Sequence, residues 1–426
     1  MKNRGPRTAW LFCFVSICLA LVAGSTVGEE AEGVHSDWPQ WRGPQRDGTS
    51  DEAGLTTAWP EAGPPVAWRI PVGVGYSGVA VAGGRLYTLW DEDGSQFLFS
   101  LDAATGEERW RHRLGPGFQH PYGNGPRSTP AVDGGTVYAA GTGGDLDAVD
   151  AASGRRLWRH RLAEEYGSRL PSIGYSSSPL VDGERLLVEV GGTENRAFAA
   201  FDKQTGELLW ASQDDLPAYS SPIAVTLHGI RQVVFLSASG LFSLSPADGT
   251  LLWKHDWTTR CPATGIPLNA AQPVFVAPDK IFVSSSYGDR EGLGAAVVRI
   301  DREGGTMRTE TVWKTEQMRN LVNSSVFYRG HLYGFDRGIL KAVDASTGEE
   351  KWKARGFERG SLIVADEHLV VLGERCRLAL VAADPEGFRE VASAEVLTGK
   401  CWTSPTLAGG TLYLRNDREL VAVTVG

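Results

Sequence analysis

A ten-residue string recurs along this chain, and its spacing constrains the fold more than any other feature. It reads LDAATGEERW at 101–110, VDAASGRRLW at 149–158, FDKQTGELLW at 201–210 and VDASTGEEKW at 343–352, with a worn copy, LSPADGTLLW, at 244–253. In all five the Gly (Gly106, Gly154, Gly206, Gly348, Gly249) stands four residues before the Trp (Trp110, Trp158, Trp210, Trp352, Trp253). In four of them an Asp stands eight before it. The residues ahead of the Asp are apolar and alternating, as in Leu98-Phe99-Ser100-Leu101, which predicts a strand. Asp and Thr or Ser bond nearby backbone in a tight turn, and Gly takes the left-handed conformation the turn needs. The next antiparallel strand then begins, and its Trp offers a flat surface to a neighbouring sheet.

Successive Trp residues at 110, 158, 210 and 253 are 48, 52 and 43 residues apart. Periods in that range indicate small sheets repeated around an axis. The predicted class is all-β, an eight-bladed β-propeller of four-stranded antiparallel blades. Innermost strands are expected to begin near Ser77, Ser128, Ser177, Ser221, Ala270, Ser324, Ser361 and Ser404. Four of them start with Ser/Thr-Pro, where proline costs no ladder hydrogen bond. Around 270–316 the turn is loosened, with Trp313 as its Trp, and at 361–398 Val391 stands where Trp is expected. The eighth unit holds only three strands, and Val66-Ala67-Trp68-Arg69-Ile70 resembles the outer strands elsewhere. This N-terminal strand, with Trp68, is expected to complete the last blade and close the ring.

Three segments follow: a leader at 1–24, an irregular arm at 25–65 and the propeller at 66–426. The leader carries Lys2, Arg4 and Arg7, then an apolar run at 9–23 and the small Gly24 and Ser25. That is the three-part pattern of a secretory signal, too short for a stable membrane anchor. Bulky Ile17 before Cys18 argues against lipid attachment. Removing the leader takes the formal charge from −9 to about −12, which disfavours nucleic acid as a partner. No membrane span is expected after its removal. Cys261, Cys376 and Cys401 remain, with no CxxC, so disulfides are not expected to be the framework. One bridge plus a thiol and three buried thiols both stay open. In the arm, Trp38 and Trp41 are expected to pack onto the main body.

The Asp-x-x-[Thr/Ser]-Gly-x-x-x-Trp copies resemble the tryptophan-docking motif of pyrroloquinoline-quinone (PQQ) type propellers. That superfamily contains quinoprotein alcohol dehydrogenases and BamB-like outer-membrane assembly lipoproteins. Trp38-Pro39-Gln40-Trp41-Arg42-Gly43 resembles the start of many secreted PQQ-like repeat proteins of bacterial envelopes. The resemblance covers 37–426 and implies fold more than function, because one propeller hosts enzymes and scaffolds alike. It implies that a dehydrogenase of this kind would hold PQQ with calcium in the central funnel, often beneath a ring formed by two adjacent cysteines. No adjacent pair occurs here.

A ligand site in such a ring lies where the loops feeding the innermost strands converge. Those loops carry Tyr122, Asn124, Arg127, Tyr175, Ser176, Tyr219, Arg260, Asn269, Arg319, Asn323, Lys400 and Trp402. Arg127, Tyr175, Tyr219, Asn323 and Trp402 are the candidates for holding a cofactor or small molecule, by ion pairing or by stacking on a planar ring. The same side chains would equally serve to line a watery channel and bond neighbouring loops. Asp336 is open to two readings, a metal ligand or a solvated turn; no metal ligand set and no catalytic residue is assigned. GVGYSG at 73–78 matches GxGxxG, but strand-like sequence follows it. His112, His160 and His255 occupy one equivalent position on three blades, too far apart to share a metal. Two functions are expected from these features: an exported envelope scaffold with protein partners, in periplasm or outside, or a PQQ-dependent oxidoreductase acting on an alcohol or sugar.

Overall fold

The repeated turn is held as its residue types require. Asp102 Oδ1 accepts hydrogen bonds from the Ala104 and Thr105 amides and the Thr105 hydroxyl, and the Gly106 amide donates to the Asp102 carbonyl. Gly106 sits at φ +75°, the left-handed region. Asp150, Asp202 and Asp344 build the same turn with Ser153, Thr205 and Ser346/Thr347. Each turn joins the third and fourth strands of one sheet.

In a computed structural model, which describes residues 1, 2, 5, 37–259, 268–286 and 294–426, eight such sheets form. Blades 1 to 7 span 80–116, 131–161, 180–212, 223–256, 274–315, 326–354 and 361–395. Blade 8 joins 406–424 to Val66–Pro71, which pairs antiparallel with Glu419–Thr424 through Trp68↔Ala422 and Ile70↔Leu420. The expected ring of eight four-stranded blades closed by the strand near Trp68 is what the chain forms. Leu162–Tyr166 is a single short helix. The expected leader and Cys261 lie outside the described residues.

Every outer-strand Trp but Trp253 sets its indole N–H on a carbonyl of the next blade. The Trp110 ring lies so close beneath Gly154 that a Cβ there would sit 2.8 Å from it, and its indole N–H donates to the Ala151 carbonyl. Trp68 on Gly106, Trp158 on Gly206, Trp210 on Gly249 and Trp313 on Gly348 repeat the contact, each with an indole bond three residues before the glycine. Trp352 donates to the Asp384 carbonyl. Blade 5 replaces the tight turn with a long hairpin, Gly294–Glu303 and Thr306–Thr315. Trp253 therefore turns to Gln232 Oε1 of its own blade. In blade 7 the residue opposite Leu380, the place a Trp takes elsewhere, is Ala392 rather than Val391, and Gly63 settles against Ala394 instead.

Around the axis a second ring of bonds links each blade to the next. The hydroxyls of Thr129, Ser178, Ser221 and Ser324 accept backbone N–H bonds from Gly78, Thr129, Ser178 and Gln272. Ser220 and Ser361 donate to the carbonyls of Ala271 and Thr403, Asn323 Nδ2 donates to Gly360, and Thr406 donates to Val79. These bonds close all eight seams. They give three of the Ser/Thr-Pro starts, at Thr129, Ser178 and Ser221, a second purpose: the proline sits at a strand start while the hydroxyl before it bonds the adjoining blade.

The arm is more than a packed extension. Residues 37–52 run inside the lower half of the channel, where lower denotes the face carrying the turns between first and second strands. They touch every blade. Trp38 bridges Val81, and the Val132 amide donates to Pro39. Arg46 donates to the carbonyls of Ser178, Pro179 and Pro222 at 3.1, 2.9 and 3.0 Å. Gln272 donates to the Arg46 carbonyl and Arg42 to that of Ser325. Thr49–Ser50 pairs parallel with blade 7, and Glu52 receives the amides of Gly409 and Gly410 in blade 8. Burial lowers the pKa of Arg46 to about 9 and of Arg42 to about 10, so both stay charged at neutral pH.

Candidate functional site

The upper face, opposite the arm, carries the connections between blades. Tyr76, Arg127 and Ser176 each stand four residues ahead of a first strand, in these connections, and Asn323 stands three ahead of its own. At the seam of blades 8, 1 and 2 this produces an aromatic and cationic cluster. The Tyr76 ring lies 5.2 Å from that of Trp402. The Arg127 guanidinium lies 5.9 Å from the Tyr76 ring and 5.3 Å from that of Phe118, while donating to the Gly125 and Gly123 carbonyls at 2.7 and 2.6 Å. Lys400 Nζ stands 4.2 Å from the Trp402 ring.

Trp402 is held from behind. Its indole N–H donates to Glu374 Oε1 at 2.9 Å, and the amide of Cys401 donates to the Glu374 carbonyl. A disulfide joins Cys376 to Cys401. Of the two cysteine arrangements left open by the sequence, the bridged one forms, and it anchors the mouth rather than the frame. Arg415 is buried behind Tyr76, donating to Thr88 Oγ1 and to the carbonyls of Leu89, Gly73 and Gly75.

Two carboxyls near this face are held away from their usual acidity. Asp91 accepts from the Phe118 amide at 2.8 Å, while its Oδ1 is buried without a partner. Burial raises its pKa to about 6, against the pull of that amide and of Arg127. Glu189 is fully buried and pushed up to about 8 by desolvation, with the Ser237 hydroxyl 2.6 Å from its Oε1. Arg127 itself is lowered by burial, offset by Tyr76, Tyr219 and Asp91, so Tyr219 lies within its electrostatic reach.

Of the sequence candidates, Arg127 and Trp402 flank Tyr76 at one mouth, while the Tyr219 hydroxyl lies 3.4 Å from Ser172 on the connection between blades 2 and 3. Tyr175 lies in the core between blades 2 and 3, its hydroxyl donating to the Glu189 carbonyl. Asn323 is a link in the axial belt. Asn269 is buried and satisfied by Ser237, Trp257, Thr259 and Ser285. Asp336 is neither solvated nor open: Arg319 Nε lies 2.7 Å and Lys341 Nζ 2.9 Å from its oxygens. Arg260 lies outside the described residues. Tyr122 is exposed, its ring 5.5 Å from His120. Reading loop by loop missed Tyr76, Phe118, Asp91 and Glu374. Tyr76 was legible, because it holds the same place before Ser77 that Arg127 holds before Ser128.

Two carboxylates of this face are already engaged. A hard dication needs several oxygens free to face it, yet Asp336 is spent on two cations and Glu374 on Trp402. Among the described residues no group of three or more His, Cys, Asp or Glu side chains is placed to hold a metal ion.

No curated protein sequence matches the chain. Among solved structures, BamB from Moraxella catarrhalis superposes with a TM-score of 0.62 at 14% identity, covering 85% of this chain and 99% of that one. The quinohemoprotein alcohol dehydrogenase ADHIIG from Pseudomonas putida HK5 gives 0.53 at 12%, covering 92% and 80%. The computationally designed Ika8 protein gives 0.55 at 11%, covering 83% and 98%. At such identities these likenesses show the fold alone. The family described as outer membrane protein assembly factor BamB matches residues 56–167 and 100–354. With more than half its length so matched, the chain belongs to this family of PQQ-like β-propellers.

Proposed function

We propose that this protein is an exported scaffold of the cell envelope that holds protein partners on its upper face and carries out no redox chemistry. The observation that carries the reading is how the polar residues of the mouth are used. Asn323 fastens two blades, Arg127 clamps its own loop, Glu374 orients Trp402, and Asp336 is neutralised. Such a mouth is rigid and rimmed by aromatics, which suits a binding surface, where buried Trp, Tyr and Arg carry most of the affinity. The Cys376–Cys401 bridge supports export, since disulfides persist in oxidising compartments. No helix among the described residues is long and apolar enough to cross a membrane.

A pull-down from envelope extracts tests the idea. A partner should be retained by the wild-type chain and lost when Tyr122→Ala and Trp402→Ala are combined; retention by the double variant sinks the upper-face assignment. One feature favours the second reading, a PQQ-dependent oxidoreductase acting on an alcohol or sugar: Tyr76 and Trp402 present rings beside Arg127 and the unpartnered Asp91 oxygen. Absorbance titration with PQQ and calcium, followed by a dye-linked alcohol assay, separates the two. Saturable uptake with turnover replaces the scaffold reading.

A further inference from the structure

Two cavities of about 310 Å³ each open beside the arm on the lower face. Their charges differ. In the first, between blades 2 and 3, Lys203 Nζ lies 2.7 Å from Asp133 and 3.6 Å from Glu184, all three lining it, so its cation is already answered. The second, between the arm and the first strands of blades 4, 5 and 6, is lined by Arg42, Arg46 and Arg231, with Asp47 its one acidic residue. Arg231 is answered at its rim by Asp182, 2.6 Å away.

Arg42 and Arg46 are solvated differently. All four hydrogen bonds of Arg46 go to neutral oxygens, three carbonyls and the Gln40 amide at 3.1 Å. The two of Arg42 leave from one terminal nitrogen, to the carbonyls of Asp47 and Ser325. Arg42 Nε is buried with a proton and no acceptor. The Asp47 carboxylate is engaged by the Thr49 amide and hydroxyl, each at 2.8 Å. Two neighbouring buried guanidiniums that share one partly engaged carboxylate leave a positive excess, which low dielectric makes costly. Apart from Gln45 and Thr226 the rest of the wall is apolar, with Ile223, Val274, Phe275 and Phe327 its large side chains.

We propose that this second cavity binds a small organic carboxylate with a short apolar tail, its carboxylate toward Arg42 and its tail along Val274, Phe275 and Phe327. A guanidinium fork matches a carboxylate in geometry as well as charge. The volume is at the small end of ligand pockets, enough for a tail of roughly four to six carbons. The assignment stands independently of what occupies the upper mouth.

Thermal melting of the purified full chain tests it with sodium hexanoate, against hexanamide, hexylamine and inorganic phosphate as probes. Hexanoate should raise Tm saturably by several degrees, as a ligand bound to the native state alone does. The neutral amide, the amine and phosphate should not. Arg42 also holds Ser325, so Arg42→Lys, which keeps charge and loses the fork, carries a risk of misfolding. Thr226→Trp avoids that risk, because Thr226 is exposed at the cavity rim and its new ring would fill the space. It should melt like wild type and lose the hexanoate shift. No shift with hexanoate, an equal shift with phosphate or hexanamide, or a shift retained in Thr226→Trp each overturns the proposal.

Discussion

The rim and the axis of this ring hold the same eight blades by opposite means. At the rim one device is copied, an indole under a glycine, and where a copy is worn the damage stays local. Trp253 finds Gln232, and Ala394 finds Gly63. At the axis the arm makes a different contact with every blade, through residues up to 358 positions apart in the Glu52–Gly410 bond. A repeated contact between neighbours behaves as a sum of seams, so it tolerates loss. A single segment touching all blades concentrates risk in a few side chains.

The largest effect that could break this contrast is Arg46→Met. It strips three buried carbonyls of their donor, each worth about 1–3 kcal/mol, so a loss on the order of 5 kcal/mol is expected in urea unfolding. A midpoint within error of wild type would mean the axis fastens nothing. Next comes Cys376→Ala with Cys401→Ala, which should cost about 3 kcal/mol for this 25-residue separation and leave Trp402 fluorescence quenched more readily by iodide.

The rim is sharpened by a pair. Gly154→Ala places a methyl 2.8 Å from Trp110 and at φ +74°, and should cost about 2–3 kcal/mol. Gly304→Ala, at the tip of the blade 5 hairpin with φ +55° and open space around it, should cost only about 1 kcal/mol. Equal losses would show that docking adds nothing beyond turn strain.

A remaining effect is in pH. Glu189 has a folded pKa of about 8, above the ordinary value of 4.5. Between those values the unfolded chain has lost the proton that the fold retains, so stability falls as pH rises and levels off above 8. Melting at pH 5 and pH 8 should show a wider gap for wild type than for Glu189→Gln. An unchanged gap would place the dependence elsewhere, with Asp91 the next carboxyl to vary.

What the sequence disclosed follows the same division. Period, turn chemistry and closure by Trp68 were readable because each is local or repeated. The arm's course was not, because Arg42 and Arg46 look like ordinary surface cations in a Gly- and Pro-rich stretch, and only the assembled ring supplies the carbonyls that bury them. At the mouth, Arg127 and Trp402 were found from loop position. Tyr175 and Asn323 share that position, yet their side chains turn to the core and to the adjoining blade, a choice of rotamer and packing that loop position does not encode. Tyr76 is masked by GVGYSG, whose glycine spacing imitates a phosphate loop although the residue holds the same place before Ser77 that Arg127 holds before Ser128. Val391 and Ala392 show the remaining ambiguity: Asp384 and Gly387 stand one residue closer than in the intact copies, so counting from the Gly gives Val391 and counting from the Asp gives Ala392, the residue opposite Leu380.

The shared construction of blade 8 also bears on how the chain matures. Its outermost strand emerges early in synthesis and meets its partner only after the Arg69–Glu419 span of 350 residues has been made. Until then both flanks of the nascent arc expose ladder groups that invite intermolecular pairing. A step this long-range must meet its loop-closure entropy before its contacts form, which slows folding. A product lacking Glu419–Thr424 would keep an open flank and be prone to aggregate.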